Sequence, residues 1–235
     1  MSYDNSSTGL LDRSAGPCPM ISMGWWRQFN YGGTGHTLLS HGSSNGNDSS
    51  FGTDGTVGTT LVGGSQGGGT TSFTMATDSD TSWVFICQVL VQGSGVQFYW
   101  RHEGETTLQS GFLPDAGIND VSDDMIMLNG NSGGGGVPHC RLTAYKEWQL
   151  DTALTSTQIF AESTQNAPIV VTGLTNYLQC DAGHSVGVDQ SGLGNDWTVV
   201  GTFTTNADEP NMLVSSNAVI IPLQQFHSMN MGFNF

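Results

Sequence analysis

Trp83-Val-Phe-Ile-Cys-Gln-Val-Leu-Val91 and Val96-Gln-Phe-Tyr-Trp-Arg-His102, joined through Gly93-Ser94-Gly95, decide the fold class. Both runs are dominated by β-branched and aromatic residues, which suit a pleated surface, and the first is almost continuously apolar. Two such runs separated by a short loop containing glycine predict a β-hairpin.

Working toward the N-terminus, Thr71-Ser-Phe-Thr-Met-Ala-Thr77 alternates apolar and polar residues, the period of a strand. Residues 42–69 are dominated by Gly, Ser, Asn, Asp and Thr. They read as weak strands and long loops inside one domain, because the forty residues before them cannot bury a core alone. His36-Thr-Leu-Leu-Ser-His41 and the aromatic stretch Met20–Phe29 read as strands, and the polar residues 1–17, ending in Ala-Gly-Pro, as an N-terminal arm.

Toward the C-terminus, the Glu103-Gly104-Glu105 turn leads to a strand through about Phe112. An Asp-rich loop (115–124), Met125–Leu128, a Gly133–Gly136 run and the strand Pro138–Trp148 follow. The one predicted helix is short, over Leu154–Glu162, with Thr155 as N-cap and Gln158 three residues on, the spacing of a capping box. Pro168–Val171, Leu174–Cys180, Trp197–Phe203 and Val219–Leu223 read as further short strands. Strands without helices between them predict an antiparallel sandwich and not an α/β fold.

Composition agrees. Glycine is 33 of 235 residues with no period of three, which excludes collagen, and a hydrophobic share of 37% excludes wholesale disorder. There are 15 Asp against 5 Glu, a preference for turns over helices. A net charge of −15 would repel nucleic acid and anionic lipid, so no nucleic-acid partner is expected. No apolar segment is long enough to cross a bilayer, so membrane insertion is not expected, and Met1-Ser-Tyr-Asp-Asn-Ser-Ser lacks the pattern of an export signal. Cys18, Cys87, Cys140 and Cys180 are far apart and mostly within apolar runs; they read as free thiols, without the close pairs zinc requires.

The order Trp25-Trp26, Leu38-Leu39-Ser40, Asp80-Thr-Ser-Trp83, Val96-Gln-Phe-Tyr99, Glu103-Gly104-Glu105 and Tyr145–Ile159 resembles the laminin-G-like jelly roll of the concanavalin A-like superfamily, over residues 18–165. A second stretch, Asp189-Gln-Ser-Gly-Leu-Gly-Asn-Asp-Trp-Thr198 with Thr205-Asn-Ala-Asp-Glu-Pro-Asn211, is similar to a tail that follows such jelly rolls in tailed-bacteriophage structural proteins. The resemblance implies an all-β antiparallel jelly-roll sandwich with one short helical turn and a C-terminal extension. It divides the chain into an arm (1–17), the jelly roll (18–167) and C-terminal strands and tail (168–235) packed on the same domain. Val137-Pro138-His139-Cys140 stands where family members often carry an acidic pair, so a calcium site there is not implied.

Glu103 and Glu105 are the only close glutamates and sit on a turn, which does not make a glycosidase pair, and no nucleophile elbow is read, because the G-x-S-x-G spacings at 42–46, 63–67 and 130–134 fall in glycine-rich stretches with no helix after them. No cofactor is expected unless calcium, whose hard-oxygen chemistry suits Asp120, Asp123 and Asp124, with Asp78/Asp80 and Asp189/Asp196 as further groups. Trp148 and Trp197, nearer turns than the other tryptophans, are the glycan-stacking candidates. Phe226, Met229, Met231, Phe233 and Phe235 form an apolar tail suited to docking on a partner. The expected function is that of a non-enzymatic virion structural protein, a capsid decoration, head fibre or tail component. It would be made in the host cytoplasm, form a homo-oligomer, contact capsid or tail subunits and meet a host glycan. A glycan-binding lectin-like module is the alternative.

Overall fold

The fold comes from a computed structural model, which describes residues 1–5, 9–13, 20–29, 36–41, 49–53, 60–65, 69–74, 82–91, 93–115, 125–127, 139–149 and 153–212. In chain order these hold β1 (Ser2–Asp4), β2 (Leu10–Arg13), β3 (Ile21–Phe29), β4 (His36–His41), β5 (Ser49–Thr53), β6 (Thr60–Ser65), β7 (Gly69–Thr74), β8 (Val84–Val91), β9 (Gly95–His102), β10 (Gln109–Pro114), β11 (Met125–Met127) and β12 (His139–Trp148). Helix α1 (Ser156–Ser163), β13 (Leu174–Leu178), β14 (Thr198–Val200) and β15 (Thr204–Asn206) follow.

Eight strands make the first sheet, in the order β10-β9-β8-β3-β12-β1-β15, with β13 also paired to β12. Seven make the second, β14-β2-β11-β4-β5-β6-β7. The chain passes from sheet to sheet at β1/β2, β2/β3, β3/β4, β7/β8, β10/β11, β11/β12, β13/β14 and β14/β15, which is the winding of an antiparallel jelly roll. The predicted hairpin is β8 and β9, in register from Val84 opposite His102 to Val91 opposite Gly95.

The near-continuous apolar run in β8 arises because the first sheet is covered on both faces. Val84, Ile86 and Leu90 point between the sheets, where they join Trp26, Phe98 and Tyr145 and meet Leu11, Leu38 and Phe51 of the second sheet. Phe85, Cys87 and Val89 point the other way, into a second core with Trp25, Trp83, Trp148, Ile159 of α1 and Met212.

Two expectations are corrected here. Residues 1–17, read as an arm, supply β1, which lies between β12 and β15, and β2, which lies between β14 and β11. Tyr3 and Leu11 are fully buried, but strands of three and four residues are too short to show an alternating pattern. Pro168–Val171 is not a strand: the Glu162 carboxylate takes its N–H groups, from Ile169 at 2.9 Å and Val170 at 2.6 Å.

β12 carries a β-bulge. Its pairing with β3 slips between Thr143 and Lys146, and Ala144 has φ +51°. Before the bulge Cys140 and Leu142 face the second sheet; after it Tyr145 does, so the alternation changes phase. The slip sends Lys146 and Trp148 to the outer face and Glu147 inward.

Candidate functional site

On the outer face, Lys146 Nζ donates to the backbone oxygens of Glu162 (3.0 Å), Gln165 (2.8 Å) and Ala167 (3.3 Å) and to Glu162 Oε2 (2.9 Å). Arg101, stacked 4.7 Å from the Trp25 ring centroid, donates to Ser163 Oγ at 2.7 Å and to the Ser163 carbonyl at 3.0 Å. Helix α1 has no basic residue in its last turn, so the sheet supplies the cations its C-terminal carbonyls attract. Burial pushes the Lys146 amine down and the Arg101 guanidinium down to about 10. These side chains anchor the helix to the sheet. Thr155 caps the helix as predicted, with both halves of the capping box formed.

On the inner face, the buried Glu147 carboxylate accepts from Tyr145 Oη at 2.6 Å and Arg13 Nη1 at 2.7 Å, and burial raises its pKa. Arg13 stacks 4.9 Å from the Trp197 ring centroid. Arg141 bridges Asp4 and Asp208, and Arg27 also donates to Asp208 at 3.0 Å. Each of the chain's five Lys and Arg side chains is therefore committed to an internal carboxylate or carbonyl. The sequence signal was a cation inside an apolar strand, as at Trp100-Arg101 and Tyr145-Lys146.

The Asp189–Trp197 stretch forms a loop that covers the free edge of β13. Asp189 Oδ1 accepts from the N–H groups of Tyr177 (3.0 Å) and Ser191 (2.8 Å), and Oδ2 from Ser191 Oγ (2.6 Å) and Asn195 N–H (3.0 Å). Gln190 N–H donates to the Tyr177 carbonyl at 2.8 Å, and Asn195 Nδ2 to that of Thr175 at 2.6 Å. Asp196 accepts from Asp189 N–H at 2.8 Å. The motif thus stands in for a missing strand, with side chains supplying the ladder bonds an exposed edge would lack. Gly192 and Gly194, at φ +85° and +74°, make the tight tip that presents Leu193.

Between this loop and the segment after α1 lies a cleft of about 370 Å³, walled by Pro168, Val171 and Leu174 on one side and Gln190, Ser191 and Leu193 on the other. Val171 is 70% and Leu193 62% exposed. The sequence reading did not mark this cleft, although an apolar residue between two turn glycines at 192–194 is a signal of exposure. A second cleft, about 520 Å³, lies between Thr164–Asn166 and Glu209–Met212 beside Glu103.

The predicted site residues fall as follows. Trp148 and Trp197 are 0% and 4% exposed, so neither ring can stack on a sugar; their turn-side positions are covered by Leu154, Ile159 and Val170 for the first and by Tyr145 and Arg13 for the second. Asp189 and Asp196 accept from backbone N–H groups. Glu103 accepts from the N–H groups of Trp83 (3.2 Å) and Asn211 (3.0 Å), and Glu105 from that of His102 (2.8 Å). Glu103 thus reaches across to neighbouring segments while Glu105 folds back on the turn, and the two carboxylates have different partners. Asp120, Asp123, Asp124, Asp78 and Asp80 lie outside the described residues, as do Phe226, Met229, Met231, Phe233, Phe235 and Cys18. Among the described residues no three metal-ligating side chains come together, and Cys87, Cys140 and Cys180 are buried free thiols.

No family model and no curated protein sequence matches the chain. Among solved structures it is similar to a native heptameric SAP-like pentraxin from Limulus polyphemus, at 15% identity and TM-score 0.48, over 67% of this chain and 79% of that one. It is also similar to a Bacillus licheniformis β-glucanase (14%, TM-score 0.29, 60% and 64%). A third likeness is to a prokaryotic β-1,3-1,4-glucanase derived from a mouse hindgut metagenome (12%, TM-score 0.27, 57% and 63%). No functional assignment rests on these likenesses.

Proposed function

We propose that the protein is a non-enzymatic assembly subunit that works by protein–protein contact, and that the assembly is a virion of the tailed-bacteriophage kind. One observation carries the reading: of the nine large hydrophobic side chains exposed among the described residues, six (Ile169, Val171, Val188, Leu193, Val199 and Val200) fall between residues 169 and 200. Two of them, Val171 and Leu193, line one cleft, and exposed apolar side chains brought together in this way mark a contact surface. The virion assignment is supported by the likeness of 189–211 to phage structural proteins, and the assembly role by the commitment of the described carboxylates to structural bonds. Other virion proteins, a capsid or tail subunit among them, are the proposed partners, and the virion the proposed location.

The test uses the full chain with Val171→Asp and Leu193→Asp at the cleft. Both variants should melt like the parent, since both side chains are exposed, yet lose incorporation into the particle. A glycan array and a polysaccharide-hydrolysis panel should both be silent. Tight sugar binding abolished by a chelator would move the reading to a lectin-like module, and release of reducing sugar would overturn it.

A further inference from the structure

The two lateral sides of the sandwich are closed differently. At one side β10 and β7 meet: Phe73 packs 5.1 Å from Trp100 and 5.8 Å from Phe98 by ring centroids, and Gly111 of β10 lies directly beneath Phe73, where any side chain would clash. At the other side the edge strands are β14 in the second sheet and β15 in the first, consecutive in the chain. Phe203, between them, packs against the inner core and fills the gap between the sheets. All three residues of β14 are exposed, as are Thr204 and Thr205 of β15.

From Trp197 to Ala207 the chain is Trp-Thr-Val-Val-Gly-Thr-Phe-Thr-Thr-Asn-Ala, with no charged residue, in a protein of net charge −15. Solvent-facing edge strands are ordinarily guarded by lysine, proline or a bulge. Among the described residues this pair carries none of these, its one guard being the shortness of its three-residue strands, and its residues are mostly β-branched, the type that pairs most readily.

We infer that the β14/β15 edge is the contact through which two copies of this chain join, strand against strand, about a twofold axis normal to both sheets. Such an axis maps each sheet onto itself, so β14 meets its own copy in one layer and β15 its own copy in the other, both antiparallel. Electrostatics select the occupant. Two molecules that repel each other as strongly anionic bodies meet less repulsion along a run that itself carries no charge, and the eleven-residue neutral run supplies one on both, with the adjoining Asp4 and Asp208 held by Arg141 and Arg27. The inference rests on the assembly reading and names the partner as a second copy.

The experiment is sedimentation velocity on the full chain and on V200E/T204E. Both positions are exposed and pair with Leu10 and Asp4, residues other than the inward-facing Leu11 and Tyr3, so the charges need not enter the core. The parent should sediment as a dimer. The double variant should associate about a hundredfold more weakly or worse, because like charges face each other across the axis. F112E, on the opposite edge and 45% exposed, should leave the dimer intact. Amide exchange gives a second readout: residues 198–206 should be protected in the dimer and lose protection on dilution. A V200E/T204E protein that stays dimeric overturns the edge contact and leaves assembly through another surface standing. A monomeric parent overturns self-pairing, and a monomeric parent that also binds glycan overturns the assembly reading with it.

Discussion

The inner and outer faces of the eight-stranded sheet are both buried, by different means. The inner face meets a second sheet whose residues interdigitate with it, and its charge content is small, Glu147 held by Arg13 and Tyr145. The outer face meets one eight-residue helix and an extended segment, which carry fewer apolar side chains, and there the sheet reaches out with Arg101, Lys146, Arg27 and Arg141. A sheet covers a sheet by area alone. A short helix, marginal in water by itself, needs directional bonds to fix where it lies.

Breaking that difference should be most costly at Lys146. Lys146→Ala strands the Glu162 carboxylate and three carbonyls in a dry site, and removal of one partner of a buried pair costs about 3–5 kcal/mol. Urea melts should show that loss, and Glu162→Gln in the same background should recover part of it, because the amide oxygen can still accept from Ile169 and Val170. Recovery absent from the double variant would mean that the carbonyls, and not the carboxylate, carry the cost.

Alkali separates the faces by sign. Burial raises Tyr3 and Tyr145 inside, and Tyr177, paired with Lys146 in β13, up to about 12. A raised folded pKa gives stability that is full below the unfolded value near 10 and is lost as pH rises through the folded one. For Tyr177 the two-unit gap is about 3 kcal/mol. Lys146 runs the other way: its depressed folded pKa gives a contribution present above about 10.5 and lost as pH falls through the folded value. Stability should therefore fall between about pH 10 and 12, phenols outweighing the single amine, with the phenolate absorbance of these three tyrosines appearing only as the chain unfolds. Early ionisation of three or more of the five tyrosines in the folded protein would contradict this.

The phase change in β12 is what assigns residues to faces. Ala144 occupies the left-handed region, where a side chain costs about 1–2 kcal/mol and glycine nothing. Ala144→Gly should raise the thermal midpoint, and Ala144→Val should lower it by more than a typical surface change. The smallest effect is expected at the helix cap: Thr155→Ala should cost about 1 kcal/mol. Its loss should loosen α1 on the outer face, read as faster amide exchange there, and leave exchange in β8 and β9 unchanged.

Much of this was legible beforehand. The hairpin at 83–102, the strands at 20–29, 36–41 and 139–148, and the capped helix could be read because each is long enough, or chemically marked enough, to carry its own pattern. β1 and β2 could not: three and four residues do not establish a period, and their place inside the sheets comes from long-range pairing, Tyr3 with Leu142 and Leu11 with Met127 and Val199. Trp148 and Trp197 looked available for a ligand because they adjoin turns, and only packing shows that the helix and Arg13 cover them.

What the sequence determined by itself was the class of the fold, through β-branched and aromatic runs with glycine turns, and the anionic character of the protein, through composition. The tertiary structure alone decided the direction of each side chain. One extra residue at Ala144 reverses the alternation along β12, and a period-two pattern cannot reveal its own phase when both faces of the strand are buried. It likewise decided that the Asp189 loop is an edge cover and that β14 and β15 are edge strands among the described residues, because pairing partners far apart in the chain settle which backbone groups are taken.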